Sequence, residues 1–414
     1  MPSADVIIIG AGLAGLACAQ ELVTRGYTPL VLEAADKPGG RVRTDGFEGF
    51  RLDCGFQVLQ TAYPEARRLL DYAALDLRPF RPGALIRFAG RFHRIGDPWR
   101  HLSDALPTLF APIGSLTDKL RIARLRYRVS QGSWESLYTR PETTTLQALR
   151  GFGFSTAIIE RFLRPFLAGV FFDERLVMSS RSFEFVFRAF ALGDTALPAT
   201  GMGAIADQLV FRLPPGTLRL ATPVERLQEQ TVDLATGERL TAHAVVVATD
   251  PWEAARLLGA TKPPDTRSTT CLYFAAPEPP VHKPLLVLNG DGIGPINSLL
   301  VPSEISSAYA PPGRALVTVN VLGNPAEDDK ALEEKVRTQL HDWFGTVIRH
   351  WRLLRLYRIN RALPPQEPPV AGPDAWPCGL GPRLFVCGEY LGAPSIQWAL
   401  FTGRRAGAAA AAAF

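Results

Sequence analysis

The hydrophobic pattern at the start of the chain predicts a strand, a helix and a second strand. Residues 6–9 are an apolar, β-branched run bounded by glycine, which is typical of a buried parallel strand. Helical spacing follows over residues 13–25 and stops at Gly26, and residues 29–32 form a second apolar run. This order predicts one βαβ unit.

Helical periodicity dominates residues 63–190, with Leu and Phe on one face and Arg on the other, interrupted by proline-rich stretches. The later chain alternates between short apolar runs and polar segments. A helix is predicted over residues 328–343, a loop over 364–382 and a closing helix from Ser395. Strands are predicted over residues 218–220, 244–248, 270–274, 285–288, 315–321 and 384–387.

Length and composition indicate a folded protein of two domains. The 414 residues exceed the size of about 250–300 at which single cores stop growing. Because 47% of the residues are hydrophobic and 21% are charged, a disordered chain is excluded.

The net charge of +5 comes mainly from arginine and is spread thinly. One cluster stands out and consists of Arg121, Arg124, Arg126 and Arg128. We interpret it as one wet face of a helix and predict no nucleic-acid partner. The alternative is a basic patch for peripheral association with a membrane.

Cysteine usage favours the reducing cytoplasm. The five cysteines form no CxxC pair and, with the six histidines, no metal-ligand spacing, so we predict neither disulfides nor a metal site. Neither a signal peptide nor an uncharged apolar run of about 20 residues is present in the sequence. None of the histidines is assigned a catalytic role.

A glycine-rich turn carries the strongest chemical signal. In the GxGxxG pattern the first glycine permits a tight turn, the second lets the backbone approach a pyrophosphate, and the third lets helix and strand pack closely. Glu33 ends the second predicted strand, where its carboxylate can accept hydrogen bonds from a ribose diol. The pattern therefore predicts dinucleotide binding by Gly10, Ala11, Gly12, Leu13, Ala14, Gly15 and Glu33.

The stretch after Glu33 resembles the superfamily of flavoprotein amine oxidases, phytoene desaturases and protoporphyrinogen oxidases. It reads LEAADKPGGRVRT and contains Ala34, Gly39, Gly40 and Arg41. In that superfamily the glycine pair and the arginine contact the FAD diphosphate, which a permanent guanidinium charge suits. The alternative for Arg41 is a structural ion pair with a surface acid.

The resemblance extends over most of the chain. Residues 53–59, with Gln57 and Val58, match the segment that approaches the flavin ring, and Val224 matches the residue whose backbone holds the adenine. The C-terminal match implies an acid at the ribitol phosphate and a helix N-terminus at the flavin N1/O2 edge, where its dipole stabilises the anionic reduced flavin. That match contains Gly388, Glu389, Ser395, Ile396, Gln397 and Ala399.

The chain also departs from the superfamily pattern. Trp398 stands where glycine is common, so its indole is expected either to alter the backbone approach to the flavin or to line the site. Residues 269–274 contain no counterpart of the amine-oxidase lysine, and the covalent-flavin cysteine pattern is missing. Cys387 lies in an apolar run and is expected in the core, so we predict non-covalent FAD.

The predicted fold class is α/β, with a GR2-type FAD-binding Rossmann-like domain and a substrate domain of mixed sheet and helical cap. Residues 1–75, 195–260 and 380–414 are assigned to the first domain, and residues 76–194 and 261–379 to the second.

The predicted function is desaturase-like dehydrogenation or isomerisation of a small hydrophobic substrate, by hydride transfer to flavin N5, with an organic electron acceptor. The alternatives are a flavin amine oxidase and a non-catalytic carrier of the same fold. Catalytic side chains and the oligomeric state stay unassigned. The phenylalanines between residues 162 and 190 are expected either to line an apolar channel or to form a packed core.

Overall fold

The structure, a computed structural model, describes residues 4–97, 100–262 and 264–414. The strands are β1 (Ala4–Ile9), β2 (Pro29–Leu32), β3 (Thr44–Phe47), β4 (Phe50–Asp53), β5 (Leu59–Gln60), β6 (Leu77–Pro79), β7 (Gly83–Phe88), β8 (Arg91–Gly96), β9 (Thr195–Pro198), β10 (Leu218–Arg219), β11 (Val224–Gln228), β12 (Thr231–Leu234), β13 (Arg239–Val247), β14 (Arg267–Ala276), β15 (Leu286–Asn289), β16 (Ile296–Leu300), β17 (Ala315–Leu322), β18 (Arg352–Leu363) and β19 (Leu384–Val386).

The α-helices are α1 (Leu13–Thr24), α2 (Pro64–Leu69), α3 (Ala105–Phe110), α4 (Leu116–Ser130), α5 (Thr145–Gly151), α6 (Thr156–Ile158), α7 (Arg164–Phe171), α8 (Ser180–Leu192), α9 (Ala204–Phe211), α10 (Pro251–Leu257), α11 (Asp329–Phe344) and α12 (Ile396–Ala411). A π-helical turn joins α6 to α7.

The first large sheet has a parallel core in the order β10-β2-β1-β13-β19, extended by the antiparallel strands β12 and β11. Ile7 and Ile8 of β1 point to opposite faces, and both are fully buried. Parallel strands covered on both faces require continuous apolar runs, which explains the sequence of β1. The predicted βαβ unit of β1, α1 and β2 is confirmed.

Small residues allow α12 to pack directly on α1. A Cβ atom added at Gly403 would lie 2.1 Å from the carbonyl oxygen of Ala14, and one added at Gly407 would lie 2.8 Å from that of Cys18. Side chains at these positions would push the helices apart. The alanine-rich C-terminus is therefore a packing surface that holds α12 beside the first βαβ unit.

The second large sheet has the order β18-β14-β17-β16-β15-β7-β8, with only β15 and β7 paired in parallel. Helix α11 packs on one face through residues three and four positions apart, Leu332, Val336, Leu340 and Trp343. Helices α3 to α8 form the cap of this region, and the buried side chains of α4 to α8 join the largest hydrophobic core.

The observed elements confirm the α/β class and most of the predicted strands, with α11 starting one residue after the predicted boundary. The prediction of helices over residues 63–190 was incomplete, because β6, β7 and β8 lie within it. Arginines interrupt the apolar alternation of β7 and β8, which hides their strand period. The division into two domains stays a prediction.

Candidate cofactor and substrate site

A cavity of about 500 Å3 lies between the two large sheets and the cap. Its lining joins the turns that follow β1, β2, β13 and β19 to residues of α7, α8, β14 and β18. The carboxyl ends of parallel strands meet at one edge of a sheet, which is where ligands bind in open α/β folds.

The turn after β1 uses each glycine differently. Gly10 has a φ of +106°, and an added Cβ would lie 2.8 Å from the carbonyl oxygen of Ala248 at the end of β13. A Cβ at Gly15 would lie 2.0 Å from the carbonyl oxygen of Gly10. Gly12 has no atom within 4 Å of the Cβ position, and it lines the cavity. Two glycines thus permit close packing, and Gly12 leaves open space for a ligand.

Glu33 is fixed at the end of β2 with capacity left for a ligand. Its Oε2 accepts a hydrogen bond from the Ala11 amide at 2.7 Å, and its Oε1 accepts one from the Ala35 amide at 2.9 Å. Each carboxylate oxygen keeps a further lone pair. Thr222 and Val224 line the cavity beside Glu33. The pocket between them has the acceptors and apolar contacts that an adenosine needs.

Arg41 joins the two ends of the sequence across the cavity. Its guanidinium forms an ion pair with Glu389 and donates to the Ala362 carbonyl oxygen at 2.8 Å. Gly39 donates its amide to the Ala11 carbonyl oxygen at 2.8 Å, which places the segment of residues 39–41 against the glycine turn. Arg41 is the one cation among the described residues that line the cavity.

The N-terminus of α12 opens onto the cavity. Ser395 caps this helix by accepting a hydrogen bond from the Trp398 amide at 3.3 Å, and Ile396 and Ala399 line the cavity. A 16-residue helix directs the positive end of its dipole at whatever lies there. The site therefore favours a ligand group that carries or acquires negative charge.

A buried network positions residues 54–58, which also line the cavity. The Asp53 carboxylate accepts hydrogen bonds from the Thr44 hydroxyl at 2.5 Å, the Met202 amide at 2.9 Å and the Tyr309 hydroxyl at 2.8 Å. Tyr273 of β14 donates to the Asp53 carbonyl oxygen at 2.5 Å. Burial raises the pKa of Asp53, although the three hydrogen bonds oppose this shift. Four distant segments therefore hold one loop.

The opposite side of the cavity is apolar. Tyr63 stacks on Phe185 with ring centroids 5.7 Å apart and presents its other edge to the cavity. The remaining lining on this side comes from Gly169, Val170, Phe172, Val186 and Phe190, with Thr269, Ile359 and Leu363 from the second sheet. No lysine lines the cavity in the part of the chain that the structure describes.

Most of the residues predicted from the motifs meet in this cavity. The lining contains Gly10, Gly12, Leu13, Ala14, Glu33, Ala34, Gly39, Gly40, Arg41, Gln57, Val58, Val224, Gly388, Glu389, Ser395, Ile396 and Ala399.

Three predicted residues lie outside the lining, and each has a structural contact instead. Ala11 bonds Glu33 and Gly39 through its backbone, and Gly15 packs on Gly10. Gln397 is buried and turned away, where its side chain accepts a hydrogen bond from the Glu65 amide at 2.9 Å. Gln397 belongs to the C-terminal motif, but its side chain lies on the side of α12 that faces away from the cavity.

Some of the aromatic residues line the cavity and others pack in the core, which were the two alternatives for them. Trp398 does not line the cavity, since it is buried against Trp376 with ring centroids 4.8 Å apart. Phe172 and Phe190 line the cavity, whereas Phe171, Phe183 and Phe185 belong to the packed core. Cys387 is fully buried, as expected for a core residue.

Asp250 and Glu253 line the cavity and were missed by the sequence motifs. Asp250 caps α10 by accepting hydrogen bonds from the Trp252 and Glu253 amides, both at 2.9 Å. The signal was available, because an acid shortly after a buried strand and directly before proline is typical of a helix N-cap at the carboxyl edge of the sheet.

The residues present fit FAD. Gly12 leaves its Cβ position open to the cavity, and Glu33 retains lone pairs. The Gln57 side-chain oxygen is buried without a hydrogen-bond partner among the described residues, although its amide nitrogen is held by the Arg41 carbonyl oxygen. A buried acceptor at the cavity wall requires a donor from a ligand or water. Fold and site thus define a dinucleotide-binding protein with a second, apolar compartment.

Comparison with known proteins identifies the family. The family model for flavin containing amine oxidoreductases matches residues 13–411, so the chain belongs to this family. Phytoene dehydrogenase of Streptomyces griseus is 28% identical over 302 residues, which cover 63% of this chain and 57% of that protein. Putrescine oxidase of Kocuria rosea is 37% identical over 86 residues, covering 20% of this chain and 18% of that protein.

These matches span less than two thirds of either relative. The crystal structure of an oxidoreductase from Methanosarcina mazei superposes with a TM-score of 0.74 at 19% identity, covering 96% of this chain and 98% of that one. This similarity confirms the predicted fold. Among the described residues, none of the helices has the length and apolar character that a bilayer span requires.

Proposed function

We propose that this protein is an FAD-dependent oxidoreductase that holds FAD non-covalently and dehydrogenates or isomerises a small hydrophobic substrate. The observation that carries the proposal is the contrast across the cavity, with backbone amides, Glu33 and Arg41 on one side and an apolar wall without lysine on the other. The substrate class of phytoene dehydrogenase, a relative by sequence, agrees with such a wall.

The residues predicted from the motifs take these roles. Gly12, Gly39, Gly40 and Arg41 contact the diphosphate, and Glu33 accepts hydrogen bonds from the adenosine ribose. Bound flavin supplies the acceptor for hydride, while the protein supplies position and exclusion of water. Residues 54–58 and the α12 N-terminus hold the ring, and the α12 dipole favours its reduced, anionic form.

Non-covalent attachment is supported by the position of Cys387. This thiol is fully buried at the end of β19 and outside the cavity, and burial raises its pKa, so it stays a neutral core side chain. Acid precipitation should release intact yellow FAD into the supernatant. Flavin retained in the protein pellet would contradict non-covalent binding without affecting the assignment of the family.

The substrate class is tested by anaerobic mixing. We expect primary amines and polyamines to leave the flavin absorbance unchanged, because residues 269–274 contain no counterpart of the amine-oxidase lysine, and Thr269 of this segment lines the cavity. A panel of polyenes and porphyrinogens should bleach the flavin, and a quinone should restore its absorbance faster than air does. Fast bleaching by a simple amine, followed by peroxide formation in air, would overturn the proposal.

Amine oxidation is the second candidate. The similarity to putrescine oxidase favours it, as does the family to which the chain belongs. An amine substrate must approach as the neutral base, and an apolar wall would raise the fraction of that form. The same anaerobic experiment separates the two candidates, since only one of them predicts bleaching by amines.

A further inference from the structure

Large apolar side chains are exposed on one stretch of the cap. Leu102 is 86% exposed, Phe110 77% and Leu120 65%, whereas such residues are normally buried. We name the whole set the cap surface, and it consists of Leu102, Leu106, Leu109, Phe110, Leu116, Leu120 and Tyr127. Their concentration within 26 positions distinguishes them from the scattered exposed hydrophobics that every protein carries.

Helix α4 is apolar on two opposite faces. Leu125 and Val129 are fully buried against the core, which accounts for one face. At about 100° per residue, Leu116, Leu120 and Tyr127 lie within about 40° of one another on the other side of the helix. A helix that only covers the core would carry polar residues there. The second apolar face is therefore left uncovered by the described residues and is free to contact a partner.

Helix α3 continues this exposed face. It has no buried residue, although its sequence is ALPTLF. The Lys119 ammonium of α4 donates to the Leu109 carbonyl oxygen at 2.5 Å and to the Ala111 carbonyl oxygen at 3.4 Å. These bonds hold the end of α3 beside the start of α4, so that both helices contribute to the cap surface.

The exposed charged side chains between residues 100 and 130 are positive. Arg124 and Arg128 are exposed on α4, and Lys119 flanks the apolar stripe on its other side. Both acids between residues 100 and 130 are buried, since Asp104 is 2% exposed and Asp118 is fully buried. The predicted wet face of arginines is only partly correct, because Arg126 turns inward and bonds Asp97 at 2.6 Å.

We propose that the cap surface docks onto an anionic lipid bilayer. Apolar side chains flanked by cations match the interfacial region of such a bilayer, where the side chains enter the acyl boundary and the cations pair with headgroup phosphates. A second copy of the chain fits less well. A symmetric contact through this surface would bring the Lys119 and Arg124 cations of both copies into one interface, and the buried acids cannot compensate.

The cap surface lies close to the apolar side of the cavity. Arg126 of α4 donates to the Ala191 carbonyl oxygen of α8 at 3.0 Å, and the adjacent Phe190 lines the cavity. Docking would thus bring the apolar wall near the phase in which a hydrophobic substrate dissolves. This consequence rests on the proposed function, whereas the docking itself does not.

The test is co-sedimentation of the FAD-loaded protein with vesicles. Vesicles of phosphatidylglycerol and phosphatidylcholine should bind it at least tenfold more tightly than pure phosphatidylcholine, and 0.5 M salt should weaken the binding. The variant Phe110→Ser/Leu116→Ser/Leu120→Ser should lose at least tenfold in vesicle affinity. The matched control is Phe211→Ser on α9, a residue that is 90% exposed and lies outside the cap, and this variant should bind as the parent does.

Flavin absorbance and thermal unfolding establish that each variant is folded. The proposal is overturned if the protein sediments with neither vesicle, if the triple variant binds as well as the parent, or if Phe211→Ser loses as much. A parent dimer that the triple variant dissociates, in the absence of vesicle binding, would assign the cap surface to a second copy and also overturn it. Because none of these readouts is turnover, failure here leaves the proposed function untouched.

Discussion

The two sides of the cavity are built from different parts of the chain. The side formed by the first sheet consists of turns, in which a Cβ added at Gly10 or Gly15 would collide with backbone atoms and Glu33 is held by two amides. The side formed by the cap consists of side chains, with Phe172 and Phe190 in the wall and Phe185 behind it. The backbone determines the shape of the first side of the cavity, and the volume of the side chains determines the shape of the second.

This difference separates two kinds of specificity. A side of backbone turns tolerates little substitution, because Gly10 and Gly15 are fixed by close packing and Gly12 leaves space for the ligand, and this suits a cofactor that never changes. An apolar wall can be reshaped by exchanging side chains of similar volume, which suits a substrate that differs among relatives. We therefore expect substitutions on the two sides to affect separate measurements.

The largest effect is expected at Gly15. An added Cβ lies 2.0 Å from the Gly10 carbonyl oxygen, so Gly15→Ala must separate α1 from β1 and should destabilise the fold by about 3 kcal/mol. Urea unfolding measures this change. Gly151→Ala is the control, because no atom lies within 4 Å of its Cβ position, and it should not destabilise the protein.

The cap depends on one buried carboxylate. Asp118 accepts hydrogen bonds from the Ser115 amide at 2.8 Å, the Ser155 amide at 2.9 Å and the Ser155 hydroxyl at 2.6 Å. Asp118→Ala should cost on the order of 3 kcal/mol at pH 7, since these donors lose their acceptor. The exposed Asp374→Ala should change stability by less than about 0.5 kcal/mol.

The pH dependence of this effect has a defined sign. Burial opposes ionisation of Asp118, but the serine hydrogen bonds prevail and lower its pKa to about 2. A lowered folded pKa means that the stabilisation is full above the unfolded pKa of about 3.9 and is lost as the pH falls towards 2. The stability difference between parent and Asp118→Ala should therefore shrink between pH 4 and pH 2. A constant difference would contradict the assignment.

A smaller effect, on the cofactor alone, is expected at Gly12. Its φ of −69° and ψ of 173° suit alanine, and no atom lies within 4 Å of an added Cβ. Gly12→Ala should keep the stability of the apoprotein but weaken FAD binding about tenfold, because the methyl group enters the diphosphate space. If Gly12→Ala destabilised the protein as much as Gly15→Ala does, the assignment of Gly12 to ligand binding and Gly15 to packing would be wrong.

The smallest effect on the cofactor is expected from the wall. Phe190→Ala should change FAD affinity less than about twofold while raising the KM for a hydrophobic substrate about tenfold, since a ring contact with that substrate is lost. Steady-state kinetics with the best substrate of the anaerobic panel provides the measurement. Phe211 is 90% exposed and offers a control, because Phe211→Ala removes a ring that does not line the cavity.

The sequence predicts the two sides unequally, for a physical reason. A phosphate site built from backbone requires glycine at fixed spacing. Gly10 and Gly12, with Glu33 at the end of the next strand, are therefore recognisable as a motif in the sequence. An apolar wall requires only side-chain volume. The sequence alone therefore does not distinguish Phe190, which lines the cavity, from Phe185, which lies in the core. Gln397 shows the limit of a motif, because its neighbours line the cavity while its own side chain bonds Glu65.

The central claim is that the first side binds the cofactor and the second side binds the substrate. It is tested most directly by titrating FAD into the apoproteins of Glu33→Ala and Phe190→Ala. Loss of a charge-assisted acceptor at Glu33 should cost about 1.5–3 kcal/mol, or one to two decades of affinity. Phe190→Ala should bind FAD as the parent does. Equal losses in the two variants, or unchanged affinity in Glu33→Ala, would contradict the account.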